Sequence, residues 1–119
     1  METINIQIPV NPAINEVAEE IATLTRRVIE FFNRTDEKAS VELMWHISSG
    51  VKDEENAYLR HLRLKTSERD VAVKVAGGFI KAGYHCYMCR YSSAYSDYTH
   101  VTISKRAQVW VENCGYKMR

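Results

Sequence analysis

The stretch that decides the fold of this chain is residues 11–34, which read NPAINEVAEEIATLTRRVIEFFNR. Asn11 and Pro12 suit the N-cap and the first position of a helix, where the backbone N–H needs no helical partner. Large apolar residues then recur every three or four positions, so they form one stripe along a helix. The stripe predicts a helix of about 22 residues. Its members are Ile14, Val17, Ile21, Leu24, Val28 and Phe31.

The predicted length of this helix has a consequence for assembly. About 22 residues give a rod of about 33 Å, whereas a typical strand covers less than about 20 Å. Part of the apolar stripe is therefore expected to overhang the sheet. A second copy of the chain would cover it by helix–helix packing, which makes a homodimer through this helix or a sheet edge one hypothesis.

Alternating polar and apolar residues on either side of the helix predict strands. Residues 4–8 alternate before it, and residues 41–47 and 58–66 alternate after it. Residues 49–56 are rich in polar and turn-forming types, so they predict a loop. The strands at 41–47 and 58–66 are therefore expected to form an antiparallel hairpin.

A second helix is predicted after these strands. Ser67 is placed as its N-cap, and Gly83 is a suitable C-terminal stop. Gly77 and Gly78 lie in its interior, where glycine is unfavourable, so they indicate a close approach of the helix to the sheet, with a ligand contact at the backbone as the alternative. Its apolar stripe consists of Val71, Val75 and Phe79.

The remaining residues predict a further hairpin. Residues 85–92 and 100–104 form its arms around a Ser/Tyr-rich tip, and residues 107–112 suggest a short last strand. The resulting order, β-α-β-β-α-β followed by an extra C-terminal hairpin strand, predicts a single α+β domain over residues 1–119. We expect an antiparallel, ferredoxin-like sheet with two helices on one face. The alternative treats residues 57–66 as a loop and gives the Alba-type order β-α-β-α-β-β.

Composition narrows the class of protein. The chain has 119 residues, of which 45% are hydrophobic and 26% are charged, as in ordinary globular domains. It contains neither a long apolar run nor a basic leader followed by an apolar segment, so no membrane span or signal peptide is predicted. Three cysteines are an odd number, which favours reduced thiols and a cytoplasmic location.

Charge is distributed unevenly along the chain. Residues 1–56 contain five Lys/Arg and eleven Asp/Glu, whereas residues 57–119 contain eleven Lys/Arg and four Asp/Glu. All seven tyrosines also lie in the second part. Such asymmetry favours an anionic partner. The competing interpretation is that the two halves attract each other within one fold or across a dimer.

Cys86 and Cys89 form a Cys-x-x-Cys pair, the first candidate for metal or redox chemistry. A structural zinc site needs four ligands, and alternate faces of a strand would separate these two. A redox pair would be expected at a helix N-terminus rather than in a strand. We therefore predict no metal, no cofactor and no catalytic residue, and the sequence favours a binding protein over an enzyme.

His46 and His61 form a second candidate pair. One register of the predicted hairpin sets Glu42 opposite Lys65 and His46 opposite His61. Two imidazoles side by side could bind a metal, respond to pH or contact phosphate. Two solvated histidines beside charged neighbours are the competing interpretation.

The best-supported candidate site combines the basic and tyrosine residues of the second half of the chain. Cationic grooves and stacking platforms hold single-stranded nucleic acid, and an open sheet face can present both. The leading hypothesis is therefore a small DNA- or RNA-binding protein, single-stranded targets favoured. The alternatives are a protein-binding inhibitor or adaptor, of the kind that mobile elements encode, and an enzyme of unrecognised class. The predicted nucleic-acid-binding residues are His61, Arg63, Lys65, Tyr87, Arg90, Tyr91, Lys105 and Arg106.

Overall fold

A computed structural model describes two helices and a six-stranded mixed sheet, which confirms the α+β class. The described residues are 6, 16–45, 52–58, 60–92, 97–107 and 115–119. Neither helix in these ranges is long and apolar enough to cross a membrane. The elements in chain order are α1 (Glu16–Asn33), β1 (Ser40–Met44), β2 (Glu54–Asn56), β3 (His61–Lys65), α2 (Arg69–Lys81), β4 (His85–Ser92), β5 (Asp97–Ser104) and β6 (Gly115–Lys117).

α1 confirms the apolar stripe predicted from its sequence. Ile21, Leu24, Val28 and Phe31 are buried, as the spacing of three and four requires. Val17, near the start of the described helix, is 37% exposed, so the stripe is less covered at this end. The predicted start of the helix at residues 11–15 lies outside the described residues.

The sheet has the strand order β2-β3-β1-β5-β4-β6. β1 and β3 pair in parallel, with Glu42 beside Arg63 and Leu43 beside Leu64. The predicted antiparallel hairpin of these two strands is therefore wrong. The predicted loop at 49–56 is also wrong at its end, because β2 pairs antiparallel with β3 at the sheet edge.

The pairing of β4 with β5 confirms the predicted second hairpin. β6 pairs with the other side of β4, and it follows the predicted strand at 107–112, most of which lies outside the described residues. The predicted strand at 4–8 also lies outside them, except for Ile6. The ferredoxin-like order is not confirmed, and β3 contradicts the Alba-type alternative with a loop at 57–66.

The start of α2 differs from the prediction. Glu68, not Ser67, occupies the N-cap position, and its side chain makes no capping hydrogen bond. Ser67 instead contacts the Glu20 carboxylate of α1, which accepts a hydrogen bond of 2.9 Å from the Ser67 backbone N–H. Ser67, which the local sequence predicted as the N-cap, is therefore engaged in a tertiary contact with α1 instead.

Gly83 matches its predicted role, but the close approach predicted for Gly77 and Gly78 occurs at Gly78 alone, because nothing lies within 4 Å of a Cβ placed on Gly77. Gly83 has φ of 93°, the left-handed region that ends helices and favours glycine. A Cβ on Gly78 would lie 3.0 Å from Cγ2 of Ile6. Close packing therefore explains this glycine, with Ile6 as the neighbour.

One apolar core joins both helices to one side of the sheet. Alternate strand residues point to opposite faces, so we define the core face by Val41, Leu43, Leu62 and Leu64, which are all buried. Phe32 packs between Phe79 and Tyr84, with ring centroids 6.0 and 5.0 Å from its own. The opposite side is the polar face, which includes Glu42, Met44, His61, Arg63, Lys65, Tyr87, Cys89, His100 and Thr102. Met44 is buried there and pairs with both Lys65 and His100.

Candidate functional site on the polar face

β3 places three of the predicted residues on the polar face. Leu62 and Leu64 are buried in the core, so the alternation of the strand turns His61, Arg63 and Lys65 to the other side. Lys65 is exposed, and the side chains of His61 and Arg63 are 26% and 35% exposed. This arrangement matches the strand face predicted from the sequence.

Glu42 lies at the centre of this face. Its Oε1 accepts a hydrogen bond of 2.8 Å from Nε of Arg63, its direct neighbour across the parallel pair. Its Oε2 lies 3.5 Å from Nε2 of His100 and 3.8 Å from Nε2 of His61. One carboxylate is thus shared by a guanidinium and two imidazoles.

Strand pairing explains why the two histidines approach from opposite sides. His61 pairs with Ser40, two residues before Glu42 on β1, and His100 pairs with Met44, two residues after it. Both therefore reach Glu42 along a diagonal, a distance that long side chains span. The carboxylate and His100 are only 15% and 14% exposed, so water screens the cluster incompletely.

Burial is the main influence on the pKa of the His61 and His100 imidazoles. It lowers the pKa of His61, against the attraction of Glu42 and Glu54 and together with the repulsion of Arg63. Burial also lowers the pKa of His100, again opposed by Glu42 and assisted by Arg63 and His61. Both histidines are therefore mainly neutral at neutral pH, beside a carboxylate that Arg63 already pairs.

On β4, the polar-face side chains of Tyr87 and Cys89 are buried. Tyr87 is 5% exposed, so its ring is not open to a base in this structure. Cys89 is 2% exposed, and its Sγ lies 3.9 Å from Oγ1 of Thr102. The predicted platform of tyrosine beside basic groups is thus not assembled around Tyr87.

The cysteines lie where the strand alternation predicted, on opposite faces of β4. Cys86 is in the core, where its thiol approaches the Ala76 carbonyl at 3.6 Å. Burial raises the pKa of Cys86 to about 12, which keeps it a thiol rather than a reactive thiolate. Among the residues that the structure describes, no three His, Cys, Asp or Glu side chains are grouped to hold a metal ion.

The other predicted residues do not join the polar-face cluster. Lys105 donates a hydrogen bond of 2.9 Å from Nζ to the Phe32 carbonyl, and this amine also lies 5.8 Å from the centre of the Phe32 ring. Arg106 is exposed just beyond the end of β5. Arg90 is exposed, but it alternates with Cys89 and so belongs to the core side of β4. Tyr91 pairs with Tyr98 through its backbone, and its side chain lies outside the described part.

Sequence reasoning missed two members of the polar-face cluster. Glu42 was placed opposite Lys65 rather than beside Arg63, and His100 was not assigned to any pair. Lys52, which is exposed, precedes Asp53, whose carboxylate accepts a hydrogen bond of 2.7 Å from the Lys65 backbone N–H. The predicted partner of His61 was His46, which lies outside the described residues. The parallel pairing of β1 with β3 brings Glu42 beside Arg63, and the register of the predicted antiparallel hairpin did not place them together.

Comparison with known proteins adds no further assignment. No protein-family model, curated protein or solved structure matches the chain. The function of the candidate site is therefore inferred from its own geometry.

Proposed function

We propose that the chain binds single-stranded nucleic acid and contacts its phosphates along β3. The observation that carries this proposal is the row of His61, Arg63 and Lys65 at alternate positions on the polar face. Alternate residues of a strand lie about 6.7 Å apart, so the row presents its basic groups along a line rather than at one point. Arg63 and Lys65, the charged members of this row at neutral pH, suit a phosphate backbone, whose charge supplies most of the affinity in non-specific binding.

The exposed end of this row carries most of the available charge. Lys65 is exposed, and Lys52 is also exposed, immediately before the Asp53 whose carboxylate bonds the Lys65 backbone. Arg63, by contrast, is paired with Glu42, which offsets its charge at neutral pH. Lys65 is therefore the principal phosphate contact of the proposal, and Arg63 and His61 are secondary contacts.

Oligonucleotide binding at varied salt tests the proposal. A fluorescently labelled thymidine oligomer should bind the protein at about 50 mM salt, with log K falling by about 0.7 per log unit of salt for each phosphate contact. Lys65→Ala should make this slope shallower by about 0.7. Lys74→Ala is the matched control, since Lys74 is exposed on α2 in the helix layer.

Two results would overturn the proposal. The first is no binding of DNA or RNA oligomers at low salt. The second is an equal loss for Lys65→Ala and Lys74→Ala, because that would show binding by overall charge and not by the polar face.

A protein-binding inhibitor or adaptor is the second candidate, and Tyr58 favours it. Its side chain is 90% exposed in the turn before β3. Arg60, in the same turn, pairs with Asp36 at 2.7 Å. Tyrosine and arginine are the types that dominate the energetics of many protein interfaces.

Cross-linking and pull-down from the native host test the second candidate. Tyr58→Ala should abolish capture of a dominant partner, whereas Tyr116→Ala, at a residue 61% exposed on β6, should preserve it. Equal capture by wild type and Tyr58→Ala would remove this turn from the interface. The homodimer and the cytoplasmic location remain predictions.

A further inference from the structure

We propose that protonation of His61 or His100 releases Arg63 from Glu42 and thereby strengthens phosphate binding at the polar face. The inference rests on the proposed function, because it concerns the availability of one of its basic groups. The pH would thus regulate phosphate binding at the same site.

The geometry places three potential cations around one anion. Glu42 bonds Arg63 at 2.8 Å through Oε1, while its Oε2 faces Nε2 of His100 and of His61 at 3.5 and 3.8 Å. With both imidazoles neutral, Arg63 is the only charged partner of Glu42 in this trio, and the pair has no net charge. A proton gained by either imidazole adds a competitor for Glu42 and one positive charge to the face.

The surrounding groups set the direction of the response. Towards His61 lie Arg63 on its own strand, Glu42 on β1 and Glu54 on β2. Towards His100 lie Glu42 on β1, Arg63 and His61 on β3, and Cys89 on β4. Burial lowers the pKa of both imidazoles, so the response belongs below the ordinary histidine value of about 6.5.

Partial burial makes the competition effective. The side chains of Glu42 and His100 are about one-seventh exposed, so their interaction is screened less than that of a surface pair. Arg63 is 35% exposed and remains within reach of solvent and of a ligand. A released guanidinium therefore has a route to a phosphate, which it can bind through two parallel hydrogen bonds.

Binding of a labelled thymidine oligomer at two pH values and constant ionic strength tests the inference. Wild type should bind roughly tenfold more tightly at about pH 5 than at about pH 7.5, the effect of one charge-assisted contact. The salt slope at the lower pH should be steeper by about 0.7 if one more phosphate is contacted. This slope is measured on the unmodified protein, so it does not depend on the folding of a variant.

Glu42→Gln separates the release of Arg63 from a general gain of charge. It should bind at about pH 7.5 as tightly as wild type does at about pH 5. Its pH dependence should nearly vanish. Glu37→Gln, at an exposed position of the turn before β1, is the control for loss of one negative charge and should keep the wild-type pH dependence.

An independent readout is the titration of the imidazoles by nuclear magnetic resonance without ligand. In Glu42→Gln the pKa of His61 and His100 should fall further, because Glu42 favours the protonated form of both. Binding with equal affinity and slope at both pH values would overturn the regulation and leave the proposed function intact. Full pH dependence in Glu42→Gln would overturn the regulation in the same way. Absence of binding at either pH would instead overturn the proposed function itself.

Discussion

The two faces of β3 differ sharply although their residues alternate within one short strand. Leu62 and Leu64 are 5% and 0% exposed and belong to the core. His61 and Arg63, on the other side, keep partial access to solvent and share the Glu42 carboxylate. One strand therefore contributes both to the core and to the candidate site, and we expect substitutions on its two faces to have different effects.

The largest expected effect comes from the core face. Leu64→Ala should lower the free energy of unfolding by about 2–5 kcal/mol, because it leaves a cavity in the buried core. Lys65→Ala, at the next residue, should change it by no more than about 0.5 kcal/mol. Urea denaturation of both variants measures the contrast. Similar losses for both would mean that the polar face also carries the fold.

The next effect concerns pH and the polar face. Burial places the pKa of His61 and His100 below the ordinary value in the folded chain, so the unfolded chain binds more protons as the pH falls. The contribution of these two histidines to the free energy of unfolding is therefore complete above about pH 6.5. Below that pH the free energy of unfolding falls by up to about 1.4 kcal/mol per pH unit for each histidine.

Urea denaturation between about pH 7.5 and about pH 5 measures this slope, above the range in which most carboxylates titrate. The double variant His61→Gln/His100→Gln should flatten it. An unchanged slope in the double variant would assign the acid sensitivity to groups outside the polar face.

The smallest effect is expected at the outer edge of the sheet. Burial opposes ionisation of Asp53, but hydrogen bonds from Arg27 and from the Lys65 backbone outweigh it and lower the pKa of Asp53. The Arg27 and Asp53 side chains are 42% and 40% exposed. Asp53→Asn should therefore cost only about 0.2–1 kcal/mol, and high salt should shrink the difference.

Unfolding of Asp53→Asn at low and high salt checks this value. Asp36→Asn, which removes the partner of Arg60, is the matched control at a second exposed ion pair. A loss as large as that of Leu64→Ala would show that this ion pair, rather than the core, holds the edge strands.

Sequence patterns predicted the elements better than the site. The stripe of Ile21, Leu24 and Val28 identified α1 because a helix buries every third or fourth residue. β2, in contrast, spans only three polar residues and carries no such pattern. His61, Arg63 and Lys65 were correctly placed on one strand face, but Glu42 and His100 join them only through pairing with other strands.

The amino-acid sequence by itself predicted the positions of α1, β1, β3 and α2 to within a few residues at their ends, and which residues of β1 and β3 face the core. Those features depend on local periodicity, which neighbouring residues express directly. Only the tertiary structure decided that β1 and β3 run parallel, and so which side chains meet Glu42. An alternating strand has the same pattern in either direction, so alternation cannot distinguish a parallel partner from an antiparallel one.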